Sequence, residues 1–128
     1  MTIYSYCRTS ELEASLEPDE LAAILEPEML AVQTYCLRES WFMRETLKDL
    51  NCSWSHEFSR REAGKRLLSL VQAGDVIVCS KLERICSSSH EVIKLVAKLT
   101  QMSVQLHIVE LGGDITDPEL SVNFTKVA

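Results

Sequence analysis

Apolar positions along the chain alternate between two spacings, one of strands and one of helices. Ile3 to Cys7 is a short run rich in β-branched and aromatic residues and reads as a strand. From about Glu17 to Glu39 the spacing turns helical, with Met29, Leu30, Val32, Cys36 and Leu37 on one face. Pro27 is expected to divide this stretch, with Glu26-Pro27-Glu28 as a fresh helix start, because an internal proline removes one hydrogen bond and clashes with the preceding turn. Trp41 to Leu47 is a second strand, and Asp49 to Phe58 is a polar loop. Ser59, with Glu62 three residues on, has the signature of a capping box. The helix it opens runs through Leu67, Leu68 and Val71 to Ala73, and Gly74 ends it. Val76-Ile77-Val78-Cys79 is uninterrupted apolar sequence, the mark of a strand covered on both faces. A helix from about Ser88 to Gln101 follows, then a strand from Val104 to Leu111, a turn at Gly112-Gly113-Asp114, and the start of a helix from Pro118.

Strands and helices therefore alternate, which predicts an α/β domain. Its mostly parallel sheet has four to five strands with helices on both faces. Chemistry in such sheets lies beyond the carboxyl ends of the strands. The first strand delivers Arg8 and Ser10 to that edge, and the strand at Val76 delivers Glu83 and Arg84.

Composition narrows the function classes. The 128 residues suit one domain, and 46% hydrophobic content is enough for a core. Thirteen basic against nineteen acidic side chains give a net charge of −6, which disfavours a free-standing, non-specific binder of nucleic acid. Seven acids and no base fall between Glu11 and Glu28, a run that reads as a solvated helix face beside the strand carrying Arg8 and Ser10. No apolar run approaches the roughly 20 residues of a membrane helix, and the N-terminus lacks a basic-then-apolar leader; a cytoplasmic protein is expected. Cys7, Cys36, Cys52, Cys79 and Cys86 are widely spaced without a C-x-x-C, so neither a disulfide framework nor a metal site is expected. His56, His90 and His107 form no defensible pair with Ser10, which argues against a Ser-His hydrolase.

Alternate residues at a strand end project to one side, so Arg8 and Ser10 place a guanidinium and a hydroxyl at the same cleft. Arginine is the preferred fork for phosphate oxygens, and serine is a weak nucleophile until activated. These residues recur in a wider pattern. Tyr6-Cys7-Arg8-Thr9-Ser10, Arg61-Glu62-Ala63-Gly64, Gly74-Asp75 through Leu82-Glu83-Arg84, and Leu111-Gly112-Gly113-Asp114 resemble, in order, the motifs of the catalytic domain of serine site-specific recombinases, the resolvase/invertase family. The second half of the chain carries the resemblance most specifically.

The resemblance implies DNA cleavage and rejoining by transesterification through a 5′-phosphoserine, with no metal or cofactor. Carried over by position, Ser10 is the nucleophile and Arg8, Arg61 and Arg84 form the phosphate pocket. Glu83 stands at the family's aspartate and would orient an arginine; Tyr6 and Asp49 are substrate-binding positions, although the most direct alignment of the polar loop places Leu50 where Asp49 is wanted. The implied partners are double-stranded DNA, in the context of an intact recombinase, and further copies of the chain in a dimer or tetramer. Residues 1–116 would be the catalytic domain and 117–128 the first turns of a dimerisation helix, with no DNA-binding domain in the chain. Ser87 stands where the family has a second active-site arginine. That substitution supports an alternative reading, a catalytically impaired resolvase-like module that dimerises with or regulates an intact recombinase.

Overall fold

A computed structural model describes residues 1–53 and 55–117. The expected helix start from Pro118 and the side chain of Trp54 lie outside the described residues. A five-stranded sheet forms the centre, in the order β2 (Met43–Asp49), β1 (Ile3–Arg8), β3 (Val76–Cys79), β4 (Gln105–Ile108) and β5 (Gly113–Asp114). The first four strands are parallel; β5 returns antiparallel on β4. The expected α/β architecture with a mostly parallel sheet is therefore the observed one.

Period-two alternation along β1 distributes its side chains between two cores. Ile3 packs on one face with Val76, Val78 and the helix α2 (Pro18–Arg38), through Val32 and Cys36. Tyr4 and Tyr6 pack on the other with α3 (Glu62–Leu70) and α4 (Ser89–Gln101), through Leu67, Leu95 and Leu99. The continuous apolar run Val76–Cys79 is buried at all four positions because both sheet faces are covered there.

Several local expectations are corrected. Pro27 does not divide the helix; α2 runs unbroken through it. The missing N–H and the carbonyl four residues back both belong to exposed residues, so water can satisfy that carbonyl, and Pro18 takes the N-terminal role expected of Pro27. The Ser59–Glu62 capping box is not made. Phe58–Arg60 form a 3-10 turn, and α3 is capped from outside by Asp49, whose Oδ1 and Oδ2 accept from the amides of Ala63 (2.7 Å) and Gly64 (3.1 Å). Helix α3 ends at Leu70, and Gly74 (φ +91°) shapes the turn into β3 instead of capping the helix. The strand expected to continue to Leu111 stops at Ile108, and a 3-10 turn at Val109–Leu111 followed by Gly112 (φ +85°) reverses the chain into β5.

Candidate functional site

The carboxyl ends of β1 and β3 carry the candidate residues, as the sheet topology requires. Strand β3 leads directly into a 3-10 turn, Leu82–Arg84, and this turn organises the site. Its last carbonyls have no partner within the turn, and two arginines supply the donors. Arg61 Nη1 donates to the Arg84 carbonyl at 2.8 Å, and Arg8 Nη2 reaches the Glu83 carbonyl at 3.4 Å. Arg8 Nη1 also donates to the carbonyl of Cys52 (2.8 Å), and Arg61 Nε to that of His56 (2.8 Å), so the polar loop after β2 braces both side chains. All three candidate arginines are buried: Arg8, Arg61 and Arg84 are 5%, 2% and 7% exposed. Burial, followed by the positive charges of Arg61 and Arg84, lowers the Arg8 pKa. Arg8 Nε is buried without a hydrogen-bond acceptor, a donor left open at the centre of the cluster.

Tyr6 and Asp49 act on this cluster from beneath. The Tyr6 hydroxyl donates to Asp49 Oδ2 at 2.7 Å and accepts from Arg61 Nη1 at 3.2 Å. Burial raises the Tyr6 pKa, against the lowering effect of the Arg61 hydrogen bond, so the phenol stays protonated. Asp49, paired in register with Arg8 across β1 and β2, thereby joins the cap of α3 to the start of the arginine network.

Ser10 is the N-cap of α1 (Glu11–Ala14), and here the capping box is complete. Ser10 Oγ accepts from the amide of Glu13 at 3.0 Å, while Glu13 Oε1 accepts from the amide of Ser10 at 2.9 Å. The same Glu13 carboxylate receives a two-pronged bond from Arg84, Nη1 to Oε1 at 2.7 Å and Nη2 to Oε2 at 3.0 Å. Glu28 of α2 takes the other edge of the guanidinium, through Nε (3.0 Å) and Nη2 (2.6 Å), and also accepts from Ser80 Oγ at 2.7 Å. The hydrogen bond from Arg84 holds Glu13 at about 2 despite partial burial. For Glu28 burial acts upward, but the bonds from Arg84 and Ser80 prevail and its pKa is lowered. Arg84 is correspondingly raised by Glu28 first, against burial.

The structure thus brings together Ser10, Arg8, Arg61, Arg84, Tyr6 and Asp49. Glu83 is exposed and contributes its main-chain carbonyl; the carboxylates on Arg84 are those of Glu13 and Glu28. Sequence reasoning missed both. The acidic run from Glu11 to Glu28 was the available signal, but two members of that supposed solvated face point inward. It also missed Glu91, a buried carboxylate that accepts from the amide of Phe58 and from the amide and hydroxyl of Ser87, each at 2.8 Å. Ser87 is therefore tied to α4 by an acid. All five cysteines are free, and among the described residues no cluster of His, Cys, Asp and Glu is arranged to hold a metal ion.

The sequence matches the family described as "Resolvase, N terminal domain" over residues 3–127. The chain belongs to that family. Among its curated relatives, serine recombinase PinR of Escherichia coli K12 is 26% identical over 117 residues, spanning 91% of this chain and 54% of the relative. The Tn2501 transposon resolvase of Escherichia coli is 27% identical, over 89% of this chain and 53% of its own length. The resolvase domain described here thus spans about half the length of these relatives. Its fold is that of the N-terminal catalytic domain of TP901-1 integrase (TM-score 0.71, 18% identity, 99% of this chain and 91% of that one). A resolvase-family recombinase from Streptococcus pneumoniae agrees as well (TM-score 0.72, 15% identity, 99% and 84%). No helix among the described residues is long and apolar enough to cross a membrane.

Proposed function

We propose that this resolvase domain cleaves and rejoins DNA strands with Ser10 as nucleophile. Ser10 Oγ attacks a backbone phosphorus, an Oγ–P bond forms, and the bond from phosphorus to the 3′ oxygen breaks. The Ser10 hydroxyl gives up its proton as the bond forms, and the leaving oxygen takes up one proton to become a 3′-hydroxyl, so that the net step moves a single proton between them. The 5′ end stays on the serine. The phosphoester conserves the bond energy, so the reverse attack by a 3′-hydroxyl rejoins a strand without an external energy source. Developing charge on the phosphoryl oxygens needs preorganised cations, and guanidinium forks match that geometry.

The observation that carries this reading is the convergence of three buried arginines on the sheet edge that bears Ser10. Burying three guanidiniums is costly unless each is paired, and the fold pairs them with carbonyls, a phenol and carboxylates at one place. Duplex DNA is the substrate this implies, with dimers and synaptic tetramers as the working assembly and residues 1–116 as the catalytic unit.

Two observations favour a second reading. Arg84 already holds two carboxylates, and Ser87 is held by Glu91. A domain of this kind could persist as a dimerising or regulatory module without cleaving DNA. Fusion to a sequence-specific DNA-binding domain separates the two. The catalytic reading expects a denaturant-stable protein–DNA adduct on a target duplex, lost in Ser10→Ala. An adduct that survives Ser10→Ala removes Ser10 as nucleophile, and no adduct from the unsubstituted fusion leaves the module reading.

A further inference from the structure

We propose that Glu13 is a latch: one side chain restrains both Ser10 and the Arg84 fork, and an incoming phosphate must displace it before either can act. This rests on the phosphate-pocket reading above and adds a gate to it.

Three observations carry it. First, a single atom is shared. Glu13 Oε1 accepts from the amide of Ser10 and from Arg84 Nη1, while the Glu13 amide donates to Ser10 Oγ. Withdrawing the Glu13 carboxylate therefore frees the Ser10 amide and the arginine in one movement, and when α1 moves with it the Glu13 amide also lets go of the serine hydroxyl. Second, the occupant resembles the ligand. A carboxylate offers two oxygens and one negative charge to the guanidinium fork, as do the two non-bridging oxygens of a phosphodiester. Glu13 and a DNA phosphate thus compete for the same Nη1 and Nη2 donors.

Third, the two carboxylates on Arg84 differ in how firmly they are mounted. Glu28 sits on the 21-residue α2 and is fixed a second time by Ser80. Glu13 sits on α1, four residues long, none of them buried, with Leu12 79% exposed. Moving α1 surrenders little apolar burial, so Glu13 is the displaceable partner and Glu28 the permanent counter-charge. Protonation does not open the latch at working pH, because Arg84 keeps the Glu13 carboxyl at about 2. Exchange against another anion does.

The test uses inorganic sulfate as the probe, titrated into the chain at neutral pH and followed by NMR. Glu13→Gln keeps the side-chain shape and removes the competing charge. It should bind sulfate about tenfold more tightly than the native chain, the scale of one charge-assisted hydrogen bond. The Arg84→Ala change, added to Glu13→Gln, should abolish the gain, and Glu28→Gln should not produce it. If Glu13 merely props Arg84 in place, Glu13→Gln binds sulfate no better or worse, and the latch is overturned. The native chain gives a readout free of folding effects. Sulfate should shift the Ser10 amide and the Arg84 Nε–H resonances together, with one midpoint. An Arg84 shift at saturation with the Ser10 amide unmoved also overturns it. Failure of the DNA adduct alongside a tighter Glu13→Gln would sink the catalytic reading and leave the latch intact; the adduct without the gain does the opposite.

Discussion

Gly64→Ala sets two physical rules against each other. Gly64 lies in the first turn of α3, and replacing an interior helix glycine with alanine ordinarily gains about 1 kcal/mol. The structure predicts the opposite sign. A Cβ at position 64 would stand 2.0 Å from the carbonyl oxygen of Phe58, where ordinary contact is roughly 3.4 Å. The obstacle is backbone, and it is pinned. The Phe58 amide donates to buried Glu91, its carbonyl accepts from the amide of Arg61, and its ring meets the edge of Tyr6 at 4.9 Å between centroids. Relief requires a shift on the order of 1 Å in a residue that is 1% exposed. Overpacking of this kind costs about 3 kcal/mol, leaving a net loss of about 2 kcal/mol once helix propensity is credited. Urea unfolding should show a lower midpoint with an unchanged slope, and thermal unfolding a drop of roughly 6–10 °C. Equal or greater stability would refute the packing argument. The same change should disturb the Arg61 contacts, so sulfate affinity is a second readout.

Three further expectations follow from the contacts. Asp49→Ala strands the amides of Ala63 and Gly64 and the Tyr6 hydroxyl in a buried site, and should cost about 3–5 kcal/mol in urea unfolding, with Asp49→Asn about half; a loss under about 1 kcal/mol would contradict the capping role. Glu13, held at about 2 against an ordinary 4.5, stabilises the fold above pH 4.5 by on the order of 1 kcal/mol once solvent screening on the unburied α1 is counted, and this is lost as pH falls toward 2. The stability gap between native and Glu13→Gln chains should therefore shrink over that window, and a gap constant with pH would remove the ion pair as its source. Thiol reagents should modify half-buried Cys7 and Cys52 well before buried Cys36, Cys79 and Cys86, with Cys79 pushed up to about 12 by burial; equal native-state rates would contradict the packing.

The elements that sequence pattern located well are those whose signal is dense and local. Val76–Cys79 is apolar at every position, and a strand buried on both faces is the only short element with that need. The start of α4 was legible because Ser88 caps it. Pro27 misled because the penalty for an internal proline depends on whether the orphaned carbonyl can reach water, which no sequence window states. The Ser59–Glu62 signature misled because a better cap, Asp49, arrives from a strand end that the sheet brings alongside. At the site, Arg8, Ser10, Arg61 and Arg84 were legible by motif, while Glu13 and Glu28 were not. A run of acids looks the same whether it faces solvent or a buried arginine, and the separations of 71 and 56 residues to Arg84 are set by the fold alone.

The acidic excess beside the strand that carries Arg8 and Ser10 acquires a reason once the contacts are traced. The contacts that place Arg8 and Arg61 include the neutral oxygens of Cys52, Glu83, His56, Arg84 and Tyr6. Such oxygens satisfy hydrogen bonds without cancelling charge. Arg84 is treated differently: two carboxylates overcompensate its single charge. With Asp49 beneath, three cations therefore face three anions, and the cluster in the free domain is close to neutral. Its attraction for a phosphate is weak in that state. Withdrawal of Glu13 alone changes the sum by one full charge and opens two donors at the same instant. Placing that charge on a four-residue helix adjoining Ser10 couples the field at the site to the freedom of Ser10. Under the proposed function such coupling makes Ser10 and the Arg84 cation available together, in the presence of the anion they would serve.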